Sequence, residues 1–107
     1  MSELNILVDK PAENMTILRL SGDFEGLEAL EKKDELIQLV AQAAPGGDFL
    51  LDFGAIQYID SGGIGILLEM ARQAATKKTK FGLINVGDPV KKVIEITKVD
   101  KFLKIYS

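Results

Sequence analysis

The sequence predicts a single α/β domain in which α-helices pack on a mixed β-sheet. Two short apolar stretches joined by a proline-containing turn open the chain, a pattern typical of an antiparallel hairpin. From residue 48 onward, apolar stretches alternate with segments of helical periodicity, which favours parallel strands joined by right-handed crossovers. The chain has 107 residues, 47% of them hydrophobic. That length fits one hydrophobic core, so residues 1–107 are expected to form one domain.

The N-terminal hairpin is predicted from alternation and turn chemistry. Apolar residues at positions 4, 6 and 8 indicate a half-buried strand. The segment Lys10–Asn14 favours a turn, because proline fixes φ and asparagine tolerates turn geometry, and Met15–Leu20 is the second strand. The segment Gly22–Gly26 is expected to break the pattern. Within it, Phe24 is either a core anchor or an exposed contact for a partner.

A first helix is predicted downstream of this break. Its inner face is formed by Leu30, Ile37, Val40, Ala41 and Ala44, which share one side of a helix. The polar run Glu31–Glu35 leaves the start of the helix open, because Asp34 can cap a separate, later helix. The triplet Pro45-Gly46-Gly47 is expected to end it.

Three strands and two helices are predicted for the second half. The apolar run Phe49–Phe53 suits a central strand, Phe81–Val86 is a second buried strand, and Phe102–Tyr106 is the last one. The clearest helix begins near residue 60. Its inner stripe is Ile64, Leu67, Leu68, Ala71 and Ala75. Lys77 and Lys78 are expected to decorate its C-terminal end, and Asp88-Pro89 to cap and open a third helix.

The composition excludes several classes of function. The chain has no Cys and no His, so thiol nucleophiles, disulfides, Cys/His zinc sites and imidazole catalysis are excluded. A net charge of −3 and a pI near 4.9 argue against a general nucleic-acid binder. No secretory leader and no stretch near the ~20 apolar residues of a membrane span are visible. We therefore expect a cytoplasmic location, with no contact to nucleic acid or membrane.

The segment Asp60-Ser61-Gly62-Gly63-Ile64-Gly65 is the most informative in the chain. Glycine inside a helix costs roughly 1 kcal/mol, so three glycines at a helix start point to a tight turn, a close backbone approach or ligand access. Ser61 can act as an exposed helix cap, and a phosphate on it would be stabilised by the positive end of the helix. The added charge would repel a docked partner. The plainer alternative is that Asp60 and Ser61 only cap the helix.

The residues of this segment do not match two enzymatic motifs that it partly resembles. A P-loop ends in Gly-Lys-Ser/Thr, whereas this segment continues as Gly65-Ile66-Leu67. A hydrolase elbow needs glycine two residues before the serine, where Ile59 stands, and the chain has no histidine to activate Ser61. We expect no catalysis by this chain, and a glycine-rich phosphate-binding turn remains a minor alternative.

The hexapeptide Asp60–Gly65 resembles the Asp-Ser-Ser/Ala-Gly-Leu-Gly signature of STAS-domain anti-sigma factor antagonists. The similarity covers nearly the whole chain. Leu18–Glu25 resembles the Gly-Glu-Leu-Asp block of the family, Leu51–Ile59 the strand that leads into the phosphorylation motif, and Val93–Phe102 the last helix and its turn. Gly62 departs from the pattern, because the family has Ser or Ala there.

The resemblance implies a STAS-like mixed sheet and a switch without a cofactor of its own. It implies that Ser61 is the phosphorylation site and that the partner is an anti-sigma factor of the serine kinase type. The unphosphorylated antagonist would bind that partner and free the sigma factor, phosphorylation would end binding, and a serine phosphatase would reset the switch. The expected partner-binding residues are Asp60, Gly62, Gly63, Ile64 and Gly65, with Asp23 or Glu25 as a neighbouring acid. The alternative is a non-switching STAS scaffold subunit of a larger signalling or transporter assembly.

Overall fold

A computed structural model describes residues 3–106, which form a five-stranded sheet and three α-helices. The strands are β1 (Asn5–Ala12), β2 (Met15–Phe24), β3 (Asp48–Ile59), β4 (Lys80–Ile84) and β5 (Ile105–Tyr106). The helices are α1 (Gly26–Ala41), α2 (Ser61–Thr76) and α3 (Asp88–Ile96), and a 3-10 turn spans Val99–Lys101. The order of elements and the mixed α/β class confirm the prediction.

The sheet order is β1-β2-β3-β4-β5, with β1 and β2 antiparallel and every other neighbouring pair parallel. One helix connects each pair of parallel neighbours. Because such crossovers are right-handed in nearly all proteins, three successive ones in the same direction place all three helices on one face of the sheet. Leu18 and Leu51 are fully buried, whereas their strand neighbours Arg19 and Asp52 reach the open face.

The second strand continues through the segment that the sequence predicted as a break. Gly22 has φ +102°, and a Cβ at this position would lie 2.1 Å from the carbonyl oxygen of Glu3. Glycine is therefore required here, because the start of the chain crosses directly over it. Register shifts on either side of this glycine show that β2 bends without ending. Phe24, at its end, is fully buried and lies 5.4 Å from Phe53 between ring centroids, which confirms the core alternative.

Helix α1 corrects three expectations. It is one continuous helix, so Asp34 does not cap a second one, and it ends at Ala41, before the Pro-Gly-Gly triplet. Its buried residues are Ala29, Leu36 and Val40. Leu30 is 60% exposed because the true inner stripe runs one position earlier, through residue 29.

The ends of the other elements also differ from prediction. Strand β1 extends to Ala12, which shortens the predicted turn to two residues. Strand β3 runs six residues from Asp48 to Phe53, then continues through Gly54 and Ala55, which interrupt its apolar pattern, and ends at Ile59. Gly87 occupies the N-cap position of α3, and Asp88 already lies in its first turn. The last strand contains only Ile105 and Tyr106, so Phe102 lies outside it and is 71% exposed.

Lys77 closes the C-terminal end of α1 and does not decorate α2 as predicted. Its ammonium group donates hydrogen bonds to the carbonyl oxygens of Val40, at 3.1 Å, of Ala41, at 2.6 Å, and of Ala43. The last carbonyls of a helix have no partner within it and carry partial negative charge. Lys77, the residue directly after α2, therefore provides hydrogen-bond donors for the carbonyl groups at the end of the neighbouring helix α1.

Candidate functional site

The candidate site lies where β2 and β3 end and α1 and α2 begin. Phe24 and Ile59 are neighbours in the parallel register of these two strands. The chain therefore leaves two adjacent strands in the same direction, and the first turns of both helices lie side by side. Residues that are far apart in sequence, around positions 25 and 61, are brought together by this arrangement.

The carboxylate of Asp60 links the two helix starts. Its Oδ1 accepts a hydrogen bond from the backbone N–H of Gly63 at 2.8 Å, and its Oδ2 accepts one from the N–H of Gly26 at 3.1 Å. Asp60 has the extended backbone of an N-cap residue. Ser61 is therefore the first helical residue and not the cap, which corrects one expectation. Its side chain is exposed to solvent.

The three glycines of the segment have different roles. A Cβ on Gly63 would lie 2.2 Å from the carbonyl oxygen of Phe24, so the start of α2 packs directly on the end of β2. A Cβ on Gly62 would meet only Asp60, at 3.4 Å, and one on Gly65 would meet nothing within 4 Å. Gly63 is thus required by packing, whereas the other two leave the surface beside the serine flat and open.

Two of the predicted partner-binding residues do not reach the surface. Gly63 is buried, and Ile64 is 4% exposed. Asp60, Ser61, Gly62 and Gly65 remain accessible to a partner. The two buried residues hold the start of α2 against the core and so shape the site from beneath.

A shallow groove of about 370 Å³ lies between the first turns of the two helices. Its lining residues are Gly26, Ala29, Leu30, Lys33, Asp60, Gly62, Gly65 and Ile66. Leu27 and Leu30, on α1, are 64% and 60% exposed. The site therefore combines an open backbone surface with an apolar wall, which suits the docking of an apolar side chain from another protein.

Three further acidic residues, Asp23, Glu25 and Glu28, lie in the chain between the end of β2 and the first turn of α1. Glu25 occupies the N-cap position of α1, directly before the glycine that is bonded to Asp60, and its side chain makes no capping hydrogen bond. Asp23 lies two residues earlier, in β2. Glu28, in the first turn of α1, was not predicted as a site residue, and its Oε2 is buried without a hydrogen-bond partner among the described residues. The sequence feature that could have indicated Glu28 is its position as an acidic residue in the first turn of a helix, where negative charge is stabilised.

A polar cluster on the open sheet face was not predicted. The Arg19 guanidinium bonds Asp52 at 2.7 Å and Asp9 at 3.1 Å. Although burial alone would raise the pKa of Asp52, hydrogen bonds from the Gly54 N–H, the Asn85 amide and Arg19 hold that pKa below its ordinary value of 3.8. The cluster links β1, β2 and β3 across the open face of the sheet through one arginine and two aspartates.

The described residues limit the chemistry of the site. Within residues 3–106 no three acidic side chains are grouped closely enough to hold a metal ion. No helix in that range is long and apolar enough to cross a membrane. The Ser61 side chain is exposed to solvent at the N-terminal, positive end of α2.

Comparison with known families identifies the domain. The family model described as "Mlab, STAS domain" matches residues 8–105, nearly the whole chain. The chain belongs to this STAS family.

Solved structures of similar fold include two anti-sigma factor antagonists. The antagonist from Mycobacterium paratuberculosis is 21% identical, with a TM-score of 0.82, and the match covers 97% of this chain and 86% of that one. The antagonist SpoIIAA, solved unphosphorylated, is 15% identical, with a TM-score of 0.76 and coverage of 96% and 89%. It is also known in a phosphorylated form, which matches with a TM-score of 0.69.

A transporter contains the same fold. The murine anion transporter Slc26a9 is 11% identical over 99% of this chain but only 21% of its own, with a TM-score of 0.78. The fold therefore occurs both as a separate antagonist and as part of a larger membrane protein.

Proposed function

We propose that the chain is a phosphorylation-switched antagonist of an anti-sigma factor and has no catalytic activity of its own. The unphosphorylated form binds the anti-sigma factor at the groove between α1 and α2, and the sigma factor is released. The observation that carries this proposal is the exposed side chain of Ser61 at the first position of α2. Membership of the STAS family and the antagonist fold of the similar structures support it.

The switch follows from the electrostatics around Ser61. A kinase-type partner transfers the γ-phosphoryl group of ATP to the Ser61 hydroxyl oxygen, and ADP and the hydroxyl proton leave. The phosphate adds a charge of about −1.5 to −2, and the positive end of α2 lets the fold tolerate it. The Asp60 carboxylate is adjacent, so the surface that the partner contacts becomes strongly anionic. Repulsion and the cost of desolvating the phosphate then release the partner.

The proposed binding surface consists of accessible backbone and a few side chains. Asp60, Gly62 and Gly65 provide the flat region beside the serine, and Leu30 provides the apolar wall. Glu25, next to the glycine bonded to Asp60, is the neighbouring acid that we place in the interface, with Asp23 behind it in β2. ATP belongs to the partner, and a serine phosphatase in the cytoplasm resets the switch.

The first test is phosphorylation of the intact protein. The chain is incubated with ATP and a soluble extract of its source cell, and its mass is measured. Addition of one phosphate to the wild type and none to Ser61→Ala supports the proposal. Phosphate that persists in Ser61→Ala, or the absence of phosphate from both proteins, contradicts it.

A second candidate function is a non-switching STAS subunit of a larger assembly. The observation that favours it is the structural match between this chain and part of a much longer transporter chain. The two functions separate in a capture experiment from the source cell. A switch retains its partner with Ser61→Ala and loses it with Ser61→Asp, whereas a scaffold retains the same partner with both variants.

A further inference from the structure

We propose that two copies of this chain pair through β1, edge to edge, so that two five-stranded sheets become one continuous sheet. Strand β1 is eight residues long and lies at the edge of the sheet. Among residues 3–106 it pairs with β2 alone. An edge strand presents a row of unpaired N–H and C=O groups, which is a template for another strand. The opposite edge, β5, has only two residues and offers no comparable template.

The side chains of β1 complement themselves across a twofold axis at Leu7. An axis perpendicular to the sheet places Leu7 opposite Leu7 of the second copy, Ile6 opposite Val8, and Asn5 opposite Asp9. Opposite residues in an antiparallel pair point to the same face and contact each other. On each side of the central Leu7–Leu7 contact, the pairing therefore makes one apolar contact and one amide–carboxylate contact, and it places no like charges opposite each other.

Two apolar residues of β1, Leu7 and Val8, are exposed in the single chain, as expected of a surface that a second copy covers. Leu7 is 67% exposed and Val8 is 42% exposed, although they occupy the middle of a strand. The carboxylate of Asp9 uses only Oδ2 toward Arg19, and a carboxylate has further acceptor capacity for an amide. Pairing covers both apolar side chains and gives Asp9 a second partner.

The sequence also limits the pairing to this register. Pro11 has no N–H to donate, and the ladder with β2 is irregular between Asp9 and Ala12, so only residues 5–9 can pair regularly. An axis at Val8 would set Leu7 opposite Asp9 and Ile6 opposite Lys10, which places a charge against each apolar side chain. The axis at Leu7 avoids both mismatches.

The paired arrangement leaves the candidate site free. Because the two β1 strands run antiparallel, the ends of β2 and β3 in one copy point away from those in the other. The two Ser61 residues lie at opposite ends of the joined sheet, and each copy can bind its own partner. The pairing is thus independent of the switch proposed above.

Single cysteine variants test the register, because the chain contains no cysteine. Directly opposite Cα atoms in an antiparallel pair lie about 4.5–5.5 Å apart, within the span of a disulfide. Residue 8 lies opposite residue 6 of the second copy, so the Cα atoms of the two residues 8 would be roughly 8 Å apart, which is too far for a disulfide. Under mild oxidation, Leu7→Cys should give at least about fivefold more linked dimer than Val8→Cys or the exposed α1 control Leu27→Cys.

Sedimentation equilibrium tests the association without a cross-link. The mass of the wild type should rise with concentration from 11.7 kDa toward twice that value. Leu7→Lys, which sets two ammonium groups face to face at the axis, should remain at the monomer mass, and the control Leu27→Lys should behave as the wild type. Circular dichroism melts establish that all variants are folded. The proposal is overturned if the wild type stays monomeric at millimolar concentration, or if Val8→Cys cross-links better than Leu7→Cys.

Discussion

Replacing Asp60 with alanine removes a side chain that joins the starts of α1 and α2. The Oδ1 bond to Gly63 is a helix cap, whose loss costs about 1 kcal/mol, with a range of about 0.5–2. The Oδ2 bond to Gly26 is made by a charged acceptor, and such bonds contribute about 1.5–3 kcal/mol. The Gly26 amide is on an exposed residue, so water replaces part of that contribution.

We therefore expect Asp60→Ala to lower the free energy of unfolding by about 2 kcal/mol, measured by urea denaturation of the purified chain. Because m-values of small domains in urea are about 1–3 kcal/mol per M, the midpoint should fall by about 1 M. Asp60→Asn keeps a single acceptor oxygen and should lose roughly half as much. Asp34→Ala, an exposed aspartate of α1, is the matched control and should change stability by less than about 0.5 kcal/mol. Equal stabilities of Asp60→Ala and Asp34→Ala would refute the reasoning.

Three further predictions concern the scaffold. Lys77→Met leaves three carbonyls at the end of α1 without their cation and should cost about 2 kcal/mol in urea denaturation, whereas Lys78→Met, on an exposed neighbour, should cost almost nothing. Gly63→Ala forces a methyl group against a backbone oxygen and should lower the melting temperature far more than Gly65→Ala; similar melting temperatures would contradict the assigned packing. The lowered pKa of Asp52 contributes to the free energy of unfolding above pH 3.8, and this contribution is lost as the pH falls further. In Asp52→Asn, the free energy of unfolding should therefore fall less steeply between neutral and acid pH than in the wild type. An equally steep fall in both proteins would show that Asp52 does not contribute in this way.

The sequence predicted the order of elements because each element has its own local signal. Alternation defined the hairpin, and helical spacing defined α2, whose start at Ser61 was placed correctly within one residue. These patterns reflect which face is buried, and burial dominates the choice of local structure.

The ends of elements depend on contacts that no local pattern contains. Strand β2 runs through Gly22 because the chain near Glu3 crosses it, a neighbour 19 positions away in sequence. Lys77 caps α1 from the far side of α2, which no spacing rule reveals. Leu30 was assigned to the core because an apolar residue one position from the true stripe fits a helical face almost as well.

The sequence predicted only part of the candidate site, because some of its contacts also depend on residues distant in sequence. The segment from Asp60 to Gly65 indicated the start of a helix. Both Asp60 and Ser61 are good capping residues, however, and only the backbone conformation shows that Asp60 is the cap. The bond from Asp60 to Gly26 and the buried oxygen of Glu28 depend on the alignment of two parallel strands. These two features therefore could not be predicted from the sequence.

The measurement that tests the switch most directly compares Ser61→Asp with Ser61→Asn, two side chains of nearly equal shape that differ by one negative charge. The partner is first identified by capture with Ser61→Ala and purified, and its affinity for each variant is then measured by titration calorimetry. We expect Ser61→Asn to bind nearly as the wild type and Ser61→Asp to bind at least about tenfold more weakly, a difference of about 1.4 kcal/mol. Equal affinities of the two variants would contradict a switch that acts through charge at the start of α2.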